Sequence, residues 1–159
     1  MRALHHTAIV NTQGGNFYSD TSGSNCLQAN TWYFMVGTAS QQSGTYNLYI
    51  NGADAFGSPE SFSGTLESAT GFYIGEFGYQ SAYLNAQIAN VQIYNASLSQ
   101  NSIQALYYEG IGGVPINLRN LVGWWSLNGN ADDYSGNGNN GASTAITYTS
   151  NWYSNYATP

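Results

Sequence analysis

The sequence predicts an all-β protein, an antiparallel β-sandwich carrying one short helix. Three observations lead there. Apolar and polar residues alternate in several short runs, those runs are separated by Gly-, Ser- and Asn-rich turns, and one segment alone changes to a helical period. Alternation means that successive side chains leave a strand on opposite faces, so one face is buried and the other left polar.

Taken in chain order, the first strand candidate is Trp32 to Thr38, rich in aromatic and apolar residues. In Tyr46-Asn47-Leu48-Tyr49-Ile50-Asn51, Tyr46, Leu48 and Ile50 point one way and Asn47, Tyr49 and Asn51 the other. Asn51-Gly52 then predicts a type I′ hairpin turn, whose two central positions both need φ > 0. Gly71 to Gly75 is a further strand candidate, and Gln87 to Tyr94 places Ala89, Val91 and Ile93 on one face. Over Ser97 to Gly110 the apolar residues fall at Ile103, Leu106 and Tyr107, the spacing of a helix; Ser97 or Ser99 caps its start, and Gly110 suits the left-handed residue past its end. The stretch around Gly112-Gly113-Val114-Pro115, residues 110–116, reads as an internal linker. Leu121 to Leu127 and Ala145 to Tyr148 complete the strands.

At 159 residues, the chain has the length of one domain, and an aromatic content of 15% gives it a core to bury. Charge is scarce. Only 6% of residues are charged, Arg2 and Arg119 are the sole bases, and the net charge is -6. A chain unable to neutralise phosphates has no footprint for nucleic acid and is repelled by anionic lipid, so neither is an expected partner. No apolar run reaches the roughly 18 residues of a membrane span. The N-terminus lacks the basic start and apolar stretch of a signal peptide, so export would rely on a signal outside this chain. Solubility resting on neutral Gly, Asn, Ser, Thr and Tyr suits an extracellular or cell-surface setting, and with few carboxylates to titrate, folding should depend weakly on pH. Cys26, the single cysteine, forms no internal disulfide.

The run from Trp32 through LYINGA, then FYIGEFG, AQIANVQIYNASLSQNSIQALY and LVGWWSLNGNADDYSGNGNNG, resembles the laminin-G-like, concanavalin A-like jelly-roll domains that recur in archaeal and bacterial surface proteins. That resemblance implies two stacked antiparallel sheets, frequent structural calcium, and glycan or protein binding rather than catalysis. The motif order departs from the family: the segment resembling WWSLNGNADDYSGNGNNG ordinarily opens the domain and the one resembling VQIYNASLS closes it, whereas here they are reversed. Residues 1–159 are therefore expected to form a single sandwich that is a piece of a tandem array, circularly permuted through the linker, or completed by a neighbouring chain. An incomplete sheet edge recruits another strand, which favours the latter two.

The loop from Asn128 to Gly141 is the candidate metal site, because Asp132, Asp133, the carbonyl of Asn137 and glycine-freed backbone carbonyls supply the oxygens that calcium needs. By resemblance, Asp133 matches the family's recurring Asp before Ser-Gly. The competing reading is that Asp133 caps the turn through backbone hydrogen bonds. Trp124, Tyr134, Tyr79 and Tyr83 are the candidate binding aromatics, since a sugar's apolar face packs on a ring while its hydroxyls bond neutral amides. Trp152 and Tyr153 lie in similarly turn-rich sequence. Trp124 and Trp125 must face opposite ways; by resemblance Trp125 is the core residue. For any one of these rings, packing in the core is the competing reading. Asn95-Ala96-Ser97 makes Asn95 a candidate glycosylation acceptor.

Catalysis finds no pattern. The Glu-x-Asp-x-x-Glu arrangement of jelly-roll glycosidases is absent, Glu60, Glu67 and Glu76 lie in separate turns, and Cys26 with His5 or His6 has no nucleophile signature. The expectation is a non-enzymatic module for adhesion or carbohydrate recognition, with a glycan or surface protein as partner. The alternative is a filament subunit that pairs with copies of itself by strand complementation.

Overall fold

Sheet formation follows the alternating runs closely where a turn fixes the register. The computed structural model describes residues 7–12, 15–20, 31–66, 71–77, 82–84 and 86–148, and the chain divides into two units. The first comprises residues 1–68 and 96–107, the second residues 69–95 and 108–159.

In the first unit, β1 (Thr7–Thr12) and β2 (Gly15–Asp20) form an antiparallel hairpin in which Thr12 faces Gly15. A four-stranded antiparallel sheet centres on β4 (Thr45–Ile50). β3 (Met35–Ser40) pairs along one edge of β4, while β5 (Ala53–Asp54) and β6 (Glu60–Ser61) share the other. Asn51 and Gly52 turn β4 into β5 with φ of 51° and 76°, as the Asn-Gly pair predicts. The Asn51 side-chain oxygen also accepts the Phe34 N–H at 3.0 Å. β4 differs from a strand with one buried face, because Asn47, Leu48 and Tyr49 are all buried. Asn47 tolerates burial because its amide donates to Asp54 at 2.8 Å and its oxygen accepts the Leu48 N–H.

The helix α1 (Gln100–Glu109) starts after Ser99, whose hydroxyl accepts the Ser102 N–H at 3.2 Å, so Ser99 rather than Ser97 is the cap. Gly110 takes φ 76° beyond its end. Ile103 and Leu106 are buried and join Leu48, Tyr49 and Phe62 in the core residues of the first unit. Tyr107 lies against Phe34 with ring centroids 5.9 Å apart, and its ring stands 3.3 Å from where a Cβ on Gly52 would be. Gly52→Ala therefore meets both a positive φ and a ring. We expect it to lower stability by about 1–2 kcal/mol in chemical denaturation, while Ser97→Ala, outside the cap, stays within about 0.5 kcal/mol.

In the second unit, β7 (Glu76–Phe77) pairs with β8 (Ala82–Tyr83), and β9 (Val91–Tyr94) pairs antiparallel with β10 (Leu121–Trp125). The ladder of β9 and β10 carries a bulge between Leu121 and Gly123. Leu121 and Trp125 are its buried apolar residues. Several strands are shorter than alternation suggests. Asn90 at φ 52° begins β9 late, Leu127 at φ 56° ends β10 early, and Ala145 at φ 53° interrupts the run to Tyr148, which forms no strand. Gly71 to Gly75 likewise stays irregular ahead of β7. Residues 111 and 113 of the linker stretch are held to Asn90, just before β9, whose amide donates to the carbonyls of Ile111 at 2.9 Å and Gly113 at 2.8 Å. The described fold is thus antiparallel β with one short α-helix.

Candidate functional site

The most elaborated local structure is the loop that follows β10. β10 uses one edge to pair with β9, which leaves backbone groups of Val122 and Trp124 on the other. The loop returns along that edge and satisfies them mainly with side chains. Asp133 Oδ1 accepts the Trp124 N–H at 2.9 Å, and the Trp124 carbonyl accepts the Tyr134 N–H at 2.8 Å. The Val122 carbonyl accepts from the Asn137 amide at 3.0 Å, the Asn139 amide at 2.9 Å and the Ser135 hydroxyl at 3.2 Å. Gly136 and Gly138, at φ 88° and 76°, give the loop the turns that place those side chains two residues apart.

Asp133 organises the loop itself. Besides Trp124, its carboxylate accepts the N–H groups of Ser135 at 2.9 Å and Asn139 at 2.8 Å, an Asx turn closed twice over. Partial burial pushes the carboxyl up, but the hydrogen bonds from Trp124, Ser135 and Asn139 outweigh it and hold the group well below the ordinary carboxylate range. Asn137 turns its amide nitrogen to the carbonyls of Leu121 and Val122. Asp132 is exposed and, among the described residues, engages only its backbone N–H, on Asn130 Oδ1 at 3.1 Å. Among the described residues no three His, Cys, Asp or Glu side chains gather. Both Asp133 oxygens thus face amide hydrogens, and Asp132 is the loop's uncommitted carboxylate among the described residues.

Beside the loop stands an aromatic pair. Tyr134 is 51% exposed and meets Trp124 edge-on, with centroids 6.0 Å apart and planes at 62°. Its hydroxyl accepts from the Asn130 amide at 3.0 Å. Trp124 is half-buried, and its indole N–H donates to Asn90 Oδ1 at 2.8 Å, while Trp125 is buried with its indole N–H on the Asn139 carbonyl at 2.9 Å. The adjacent tryptophans thus face opposite ways.

Sequence reasoning missed the polar face of β9. Gln92 and Tyr94 share that face at the two-residue strand period, and Asn90 just before the strand joins them: the Tyr94 hydroxyl donates to Gln92 at 2.8 Å and the Gln92 amide to Asn90 at 3.1 Å. Burial pushes the Tyr94 hydroxyl up, partly offset by a backbone hydrogen bond with Ile116. The signal was present in the alternation, whose apolar side alone was read. Of the other candidates, Tyr83 lies on β8, Asn95 is exposed just past β9, and the carboxyl-bearing Glu60 and Glu76 lie on β6 and β7. Tyr79, Trp152, Tyr153, Glu67, Cys26, His5 and His6 lie outside the described residues.

Antiparallel sheets with one short helix make this an all-β domain, and the family match gives its class. Residues 3–104 match the laminin-G family model of the concanavalin A-like lectin/glucanases superfamily, and the chain belongs to that family. The matched stretch ends before β10, so the Trp124 to Gly141 segment lies beyond it. A solved structure of an S-layer domain-containing protein from Clostridium thermocellum is similar at 21% identity and a TM-score of 0.42, covering 59% of this chain and 46% of that one. The chain thus spans under half the length of that solved chain. No curated protein matches it. No described helix is long and apolar enough to cross a membrane.

Proposed function

We propose that the chain is a non-enzymatic, cell-surface or extracellular module that recognises carbohydrate, with the pair Trp124 and Tyr134 as its binding platform. The observation that carries this reading is the half-exposed Tyr134 ring, braced edge-on by Trp124 and rimmed by the Asn130 carboxamide. An accessible ring takes the apolar face of a sugar, and neutral amide and hydroxyl groups take its hydroxyls. The bracing matters because a preorganised ring loses little freedom on binding. Membership of a superfamily that includes lectins supports the same reading.

The closed outer edge of β10 favours such a module over a filament subunit that exchanges strands through that edge, since the loop already occupies the groups an incoming strand would need. The test is a glycan array followed by calorimetry on the best binder. Tyr134→Ala should weaken binding at least about tenfold with the fold intact by circular dichroism. Unchanged affinity in that variant would remove the platform from the site.

A further inference from the structure

We infer that this site selects by charge, taking neutral glycans and rejecting those that bear carboxylate or sulfate groups; the inference rests on the carbohydrate reading above. Binding an anionic sugar removes its charge from water, a cost that a cationic partner at bonding distance offsets best. Among the described residues the platform has none. Its polar groups are the Asn130 carboxamide and the Tyr134 hydroxyl, bonded to each other at 3.0 Å and each with hydrogen-bonding capacity left for a hydroxyl. The nearest charged groups in sequence are two carboxylates: Asp133, next to Tyr134 and turned to the N–H groups of Trp124, Ser135 and Asn139, and Asp132, two residues from both Asn130 and Tyr134, exposed and with its carboxylate making no bond among the described residues.

Among the described residues no other cation supplies one. There is no lysine in the chain. Arg119 sits in the short 3-10 turn Leu118–Asn120 that leads into β10, whereas Trp124 lies toward the opposite end of that strand. At about 3.3 Å per residue, even Leu121 is some 10 Å along the strand from Trp124. Arg2, the other base, lies outside the described residues. A net charge of -6 adds a long-range field of the same sign as Asp132, which lowers the local concentration of anionic ligands before any contact forms. A neutral sugar meets none of these penalties, because its hydroxyls both donate and accept, as the amide and phenol do.

The experiment uses the full chain on an array of matched pairs, each a neutral oligosaccharide and its sulfated or uronic-acid counterpart, read at low and at physiological ionic strength. The neutral member of a pair should bind at least about tenfold more tightly at low salt, with the gap narrowing as salt screens the field. Asp132→Asn should narrow it at low salt as well. Acidic members bound as well as or better than their neutral partners would overturn the selectivity while leaving carbohydrate binding in place. An array on which neither class binds would overturn the carbohydrate reading, and this inference with it.

Discussion

Asp133→Ala should lower stability by about 2–4 kcal/mol and the melting temperature by about 5–10 °C. Three backbone N–H groups, of Trp124, Ser135 and Asn139, lose their acceptor at once. Those of Ser135 and Asn139 lie in a loop that water can reach, so they rehydrate and return part of the loss; the Trp124 N–H belongs to a strand. Asp133→Asn keeps the shape but sets an amide nitrogen against one of the N–H donors, and should cost about half as much. The sign of the pH dependence separates electrostatics from shape. A carboxyl held below its ordinary range in the folded state contributes in full above its unfolded pKa of about 4 and progressively less as pH falls below that. Parent and Asp133→Asn melting temperatures should therefore differ at neutral pH and converge in acid. The same variants should bare the outer edge of β10, and Asp133→Ala should sediment as larger species than the parent. An alanine variant that melts within about 1 °C of the parent would mean that the loop's bonds are replaced by water without cost.

What could be read in advance divides by range. The Asn51-Gly52 turn was legible because its requirement, two adjacent residues at positive φ, is local and few residue pairs meet it. The helix was legible from Ile103, Leu106 and Tyr107, though the choice between Ser99 and Ser97 as cap needed the geometry of one hydroxyl. Ala145 to Tyr148 fails as a strand because alternation records which face would be buried, not whether a partner strand exists to bury it. The turn-capping role of Asp133 was one of two readings of the same loop, and it becomes visible only in the direction of three N–H groups. The tie between Trp124 and Asn90 spans 34 residues of sequence and leaves no local trace at either end. Gly123 is invisible for a related reason: nothing in LVGWW says that the ring two residues on will lie over it.

Gly123→Ala should be the most damaging single-methyl change in the second unit, costing about 2–4 kcal/mol. A Cβ on Gly123 would fall well inside contact distance of the Trp125 indole, on its six-membered ring. Relief requires moving that indole, which is 6% exposed, packs on Phe72 with centroids 5.4 Å apart, and donates to the Asn139 carbonyl. Moving it would therefore disturb the core and the loop together. The glycine's own backbone needs no special φ, so the cost is steric and belongs to the ring. A double-mutant cycle makes that separable. Trp125→Ala alone should cost about 3–5 kcal/mol through the cavity it leaves. With the indole gone, adding Gly123→Ala should cost less than about 1 kcal/mol, giving a coupling of about 1–3 kcal/mol between the two positions. Additive losses would instead place the strain in the bulged backbone between Leu121 and Gly123, and the ring would be a bystander.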